Sequence, residues 1–186
     1  MTKIFLKIIL FINILFFCVK SNAQKSDFIV TYSKDTIYGD KIWESGNTVK
    51  VKKNRKKTKF PLDDVKIRYD SKDNSYYEKI TNPFHFITED KIFMERLTNG
   101  KIELFFYYLG DGGFGNPTIC YYLRKNNLEK RLSYNRRFSK KVFKEISTFV
   151  KDDKEIVSEL NSIKKLKRKI IIELINKYNQ NFNDKK

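Results

Sequence analysis

From Asp27 to about Leu132, hydrophobic residues recur at every second position in short runs broken by turn formers, the pattern of an antiparallel sheet or roll. Phe28 to Tyr32 and Thr36 to Trp43 are two such runs, joined by Ser33-Lys34-Asp35. Gly39 breaks the second run and marks either a bulge or a point where another backbone comes close. Ser45-Gly46-Asn47 turns the chain into Thr48 to Lys52, with Val49 and Val51 on one side and lysines on the other. Lys59 and Phe60 lead into Pro61-Leu62-Asp63-Asp64, which reads as a connection. Val65, Ile67 and Tyr69 alternate with Lys66, Arg68 and Asp70 in the clearest half-buried strand, and Tyr76 to Ile80 is another before the loop Thr81-Asn82-Pro83. Ile92 to Leu97 and Lys101 to Leu109 flank Asn99-Gly100, a hairpin signal because both residues tolerate positive φ. Leu104 to Leu109 is apolar or aromatic on both faces, which predicts a strand covered on both sides. The Gly-rich stretch from Gly110 to Pro117 is followed by Thr118 to Arg124, a turn at Lys125-Asn126-Asn127, and Leu128 to Leu132.

After Asn135 the period changes to about 3.6. Phe138, Val142, Ile146 and Phe149 share one helical face, with Ser139 placed to cap it. Asp152 or Asp153 caps a second helix carrying Ile156, Leu160 and Ile163; a third runs through Leu166, Ile170, Leu174 and Tyr178. Asn161-Ser162 either separates these two or lies in the bend of one long helix. Strands first and helices last predict an α+β fold, an antiparallel β-sheet or roll followed by a helical C-terminal segment. With no internal repeat or linker, residues 24–186 form one domain, β-rich over 24–135 and helical over 136–186.

Residues 1–23 read as a secretory signal peptide. Lys3 and Lys7 precede an apolar run from Ile8 to Val19, too short for the ~20 residues of a membrane span. Ser21-Asn22-Ala23 offers small residues before a cut that leaves Gln24 first. Phe16 and Phe17 ahead of Cys18 do not suit lipid attachment. Export followed by cleavage leaves Cys120 alone, so no internal disulfide forms, and the fold rests on its core. The expected location is periplasmic, outer-membrane-associated or secreted.

The chain carries 39 Lys and Arg against 22 Asp and Glu, a net charge of +17, and only three of the cations lie in the leader. Two clusters concentrate this charge. Lys52, Lys53, Arg55, Lys56, Lys57 and Lys59 sit around a predicted turn, a cationic tip suited to lipid phosphates, lipopolysaccharide or another polyanion. The plainer reading is a solvated hairpin end whose lysines discourage edge pairing. Lys164, Lys165, Lys167, Arg168 and Lys169 lie on the third predicted helix, either a basic amphipathic helix for a membrane interface or the wet side of a core helix. No nucleic-acid motif accompanies the charge, and an exported protein rarely meets such a target, so no nucleic acid is expected as partner.

Catalytic chemistry finds few of its usual residues. His85, in an aromatic-flanked loop, is the single imidazole for any Cys120 or Ser nucleophile, and Cys120 alternates with Tyr122 as a packed strand residue. Gly110-Asp111-Gly112-Gly113-Phe114-Gly115 lacks the Lys-Ser/Thr of a phosphate cradle and reads as a hairpin loop, with Phe114 as a contact residue. Asp70 to Asn74 lacks the Gly and terminal Glu of a calcium loop. No metal or cofactor is expected. The enzymatic alternative is a hydrolase built on a carboxylate pair drawn from Asp63, Asp64, Glu89, Asp90, Glu95 and Glu103.

Three stretches carry a resemblance. Phe28-Ile29-Val30-Thr31 running into Asp35-Thr36-Ile37-Tyr38-Gly39-Asp40-Lys41-Ile42 resembles the "yivt…gDTI.GkI" hairpin that follows the signal in a family of exported Gram-negative bacterial proteins. Phe93 to Leu97 with Gly100 to Phe105 is similar to that family's "flerl..GkisLy" segment, and Ile175 to Asn179 to its "i..YN" terminus. The resemblance implies an envelope or secreted protein without assigned activity or catalytic residues; the dense basic run at 52 to 59 departs from it. The expected function is a non-enzymatic binding module whose partner is a protein or other envelope component. The alternative is a binder of polyanions or of an anionic membrane surface.

Overall fold

The structure, a computed structural model, describes residues 26–84, 90–109, 118–134, 140–165 and 167–183. The signal peptide with Cys18, His85, Glu89, the Gly110–Pro117 stretch with Phe114, the cap Ser139 with Phe138, and Leu166 lie outside the described residues. No helix among those described is long and apolar enough to cross a membrane.

Among the described residues, eleven strands and three helices follow in the predicted order, making the fold α+β. The strands are β1 (Asp27–Thr31), β2 (Thr36–Gly39), β3 (Lys41–Ser45), β4 (Thr48–Lys53), β5 (Lys56–Pro61), β6 (Val65–Asp70), β7 (Ser75–Thr81), β8 (Lys91–Arg96), β9 (Glu103–Leu109), β10 (Thr118–Lys125) and β11 (Leu128–Tyr134). The helices are α1 (Lys140–Val150), α2 (Lys154–Ser162) and α3 (Arg168–Asn183), and a 3₁₀ turn at Leu62–Asp64 links β5 to β6. An eight-stranded sheet has the order β11-β10-β9-β8-β7-β6-β1-β2, and β3-β4-β5 forms a second, three-stranded sheet; the ladders joining these strands are antiparallel.

The predicted run Thr36 to Trp43 is therefore two strands in two sheets. A Cβ on Gly39 would stand 2.6 Å from Val51 Cγ1 and 3.1 Å from the Lys52 carbonyl oxygen. Gly39 marks the close approach rather than a bulge, and the Asp40 N–H donates to that same carbonyl at 2.7 Å. The stretch 56–61 is likewise a strand where the sequence suggested a tip and a connection. Asn54 and Arg55, at φ 47° and 67°, make the tight turn with the backbone hand that hairpins favour. Pro61 is the last residue of β5, an edge strand, where a missing N–H disturbs little.

Period-two alternation assigns the main sheet two buried faces. Leu104, Tyr121, Leu123 and Leu132 face the helices and meet Val142, Ile146, Phe149, Ile156, Leu160, Leu174 and Ile175. Phe105, Cys120 and Tyr122 face the other way and pack with Ile80, Phe84, Ile92 and Met94. The start of β9 is thus covered on both sides, as its pattern predicts, whereas Tyr108 near its end is 54% exposed. The three-stranded sheet covers the opposite end of the main sheet through a third cluster, Ile29, Val49, Val51 and Val65, joined by Ile42, Phe60 and Phe93.

The helices are separate. Asp153, not Asp152, caps α2 by accepting from the Glu155 and Ile156 N–H groups. Asp152 instead accepts from Lys125 Nζ at 2.9 Å and from the Tyr178 hydroxyl at 2.8 Å, tying the β10–β11 turn to α3. On α3 the buried stripe is Ile171, Leu174, Ile175, Tyr178 and Asn179, one residue out of phase with the predicted Ile170. Asn179 clamps the turn between β8 and β9: its Oδ1 accepts from Ile102 N and its Nδ2 donates to Ile102 O, both at 2.8 Å. Gly100, at φ 146°, has no space for a Cβ beside that amide.

Candidate anion-binding face

The β4 sequence Thr48-Val49-Lys50-Val51-Lys52 alternates, and burying Val49 and Val51 against the main sheet forces Thr48, Lys50 and Lys52 outward. Register then decides what joins them. Lys41 stands opposite Lys52, which stands opposite Lys57; Trp43 stands opposite Lys50, which stands opposite Lys59. The outer face of β3-β4-β5 therefore gathers Lys41, Lys50, Lys52, Lys57 and Lys59 around Trp43, the single tryptophan of the chain.

Among the described residues, no acidic position falls on that face. The two nearest in sequence are turned elsewhere: Glu44 reaches inward to Arg68 at 2.7 Å, and Asp40 accepts from the Asn54 N–H at 2.9 Å. Lys50 Nζ donates to Ser45 Oγ at 2.7 Å and Lys41 Nζ lies 5.8 Å from the Trp43 ring centre. Among the described residues, none of the five lysines has a carboxylate within ion-pair distance.

This arrangement opposes folding. Like charges directly across an antiparallel ladder are destabilising. At ~5 Å in water a pair costs about 0.8 kcal/mol, roughly halved by physiological salt. With Lys41–Lys52, Lys52–Lys57 and Lys50–Lys59 on one face, the stored repulsion is on the order of 1–2 kcal/mol. An anionic partner that sets phosphates or sulfates between the ammonium groups relieves it.

Of the six cations singled out in the sequence, Lys52, Lys57 and Lys59 are on this face. Lys53 and Lys56 oppose one another on the reverse side, lining a shallow hollow with Ile37 and Tyr38, and Arg55 is at the turn. Lys50 lies outside the six but on the side of β4 that the alternation with Val49 and Val51 predicts; Lys41 and Trp43 also belong to the face but escaped sequence reading, because their signal, the alternation with Ile42, needs the strand ends and register to be used. The second cluster is not a helix face. Lys164, Lys165 and Lys167 lie in the α2–α3 connection, and only Arg168 and Lys169 enter α3, because Ile163 ends α2 and the helix resumes at Arg168.

Three of the candidate hydrolytic acids, Asp63, Glu95 and Glu103, are held by cations, while Asp64 and Asp90 form no ion pair among the described residues. Asp63 binds Lys79 at 2.7 Å and the hydrogen bond lowers its pKa; Glu95 binds Arg168 at 3.3 Å. Glu103 binds Arg124 at 2.6 Å, and Arg124 also binds Glu78 at 2.9 Å. Cys120 is buried, and burial raises its thiol pKa, which suits a packed core residue. Among the described residues no three His, Cys, Asp or Glu side chains are grouped to hold a metal.

No family model, curated protein or solved structure matches this chain.

Proposed function

We propose that this protein is a non-enzymatic binding module that docks on an anionic membrane surface through the outer face of β3-β4-β5. The observation that carries the reading is the gathering of five lysines around one tryptophan on a face without a carboxylate. Ammonium groups act as point charges that suit a laterally mobile layer of phosphates better than the bidentate geometry arginine would impose. A tryptophan among them suits the headgroup zone, where an amphipathic ring finds both apolar and polar surroundings. The signal-peptide pattern of residues 1–23 supports export to an envelope where lipid phosphates and lipopolysaccharide are available. The resemblance to exported envelope proteins points the same way.

A second reading is an envelope protein partner, favoured by the row Tyr38, Phe28, Tyr69 and Tyr76 across four adjacent strands, with ring centres 5.7, 4.9 and 4.7 Å apart and Tyr38 and Tyr76 exposed. Co-sedimentation with vesicles of phosphatidylcholine alone or mixed with phosphatidylglycerol separates the readings. Binding only to the mixed vesicles, falling steeply between 50 and roughly 300 mM salt, is expected for the lysine face. No binding to anionic vesicles at any salt overturns it.

A further inference from the structure

The ladder between β8 and β9 holds only Glu95 opposite Phe106 and Arg96 opposite Phe105, although β8 extends back to Lys91 and β9 onward to Leu109. Where the two strands part, a cleft of about 620 Å³ opens between the three-stranded sheet and β9, within the size range of small-molecule sites. Side chains from both faces of the main sheet line it, including Ile92 and Tyr107 from one and Phe93 and Phe106 from the other, as expected of a slot between separated strands. Its apolar lining includes Phe93, Phe106 and Tyr108, with Tyr77 beside them.

The polar groups of the cleft are unevenly satisfied. Arg68 lies 4.3 Å above the Tyr77 ring and gives its Nη1 to Glu44. Its Nε is the buried side-chain polar atom left without a hydrogen-bond partner among the described residues. The Nε–Nη2 edge of a guanidinium is the fork that grips an oxyanion through two parallel hydrogen bonds. A buried donor with nothing to meet costs on the order of 1–3 kcal/mol, so it calls for an explanation. The carboxylates do not compete for it: Glu44 already holds the other corner of Arg68, and Glu95 holds Arg168, which lies 4.2 Å from the Phe106 ring. Lys91 lines the far end of the cleft, four residues along β8 from Glu95, and its Nζ lies 5.7 Å from the Tyr32 ring centre. Burial of Tyr77, helped by the charge of Glu95, raises its hydroxyl pKa.

We infer that this cleft is a binding site for a small amphiphile with a single oxyanion head, carboxylate or sulfonate, whose head takes the free edge of Arg68 while its apolar body lies along Phe93, Phe106 and Tyr108. The site is separate from the lysine face and does not depend on it.

The test uses 8-anilinonaphthalene-1-sulfonate as the probe, with decanoate and decanol as competitors. One saturable site is expected, from which decanoate displaces the probe at least tenfold more effectively than decanol. Arg68→Gln should weaken decanoate binding at least tenfold. Tyr108→Ala, at an exposed position, should weaken both competitors. Lys52→Gln/Lys57→Gln/Lys59→Gln should bind as the parent does. Equal displacement by decanol, parental affinity in Tyr108→Ala, or loss of the site in the triple lysine variant overturns the inference. Should Arg68→Gln fail to fold, Tyr108→Ala and the decanoate-to-decanol ratio decide.

Discussion

Replacing Lys52, Lys57 and Lys59 together by glutamine should make the protein more stable and a weaker membrane binder. Each of the three repulsive pairs on the outer face loses a charge: Lys52 from its contacts with Lys41 and Lys57, Lys59 from its contact with Lys50. At ~0.4–0.8 kcal/mol per pair, the gain in unfolding free energy is about 1–2 kcal/mol at low salt. None of the three ammonium groups forms an ion pair among the described residues, so no attraction is lost in exchange. Against anionic lipid, each lysine near the surface contributes about 1 kcal/mol, so removing three should weaken binding by roughly 150-fold. Urea denaturation gives the first quantity and vesicle titration the second. Lys164→Gln/Lys165→Gln/Lys167→Gln removes the same net charge from the exposed α2–α3 connection. It should lower affinity far less and leave stability nearly unchanged. A face variant that is destabilised, or a control that loses as much affinity, refutes the argument.

Other residues test the fold that presents this face. Gly39→Ala drives a methyl into Val51 and the Lys52 carbonyl and should cost about 1–3 kcal/mol in chemical denaturation, with vesicle affinity changed only as far as β4 shifts. Asn179→Leu keeps the branched shape but leaves the buried Ile102 N–H without its acceptor, a loss of about 2–3 kcal/mol readable as a lower urea midpoint. Burial works against the Asp152 charge, but hydrogen bonds from Lys125 and Tyr178 win and lower its pKa. A depressed carboxylate stabilises above its unfolded value near 3.9 and loses that contribution as pH falls through the folded value. Asp152 is half exposed, which limits the effect to ~0.5–1 kcal/mol. Asp152→Asn should therefore melt lower than the parent at pH 7, with the gap closing below about pH 4.

Much of this architecture is written in local periodicity. The strands from Val65 onward and the helical segment follow from alternation at two and at 3.6, because each buries one face against the same core. β5 was illegible for the converse reason. Its Lys-Lys-Thr-Lys-Phe-Pro sequence buries little beyond Phe60, so no alternation betrays it. The break at Gly39 is set by Val51 arriving from another strand, and the placement of β1 between β6 and β2 is equally a tertiary matter. The functional face shows the same division. A cationic run was plain at 52 to 59, but register alone sends Lys53 and Lys56 to the reverse side and brings Lys41 and Trp43 in.

Trp43, the single tryptophan of the chain, makes the most direct measurement available. Its emission should shift to the blue and be quenched by brominated phosphatidylglycerol in mixed vesicles, and stay unchanged with phosphatidylcholine alone. Vesicle binding that leaves Trp43 emission and quenching untouched would contradict docking through the β3-β4-β5 face.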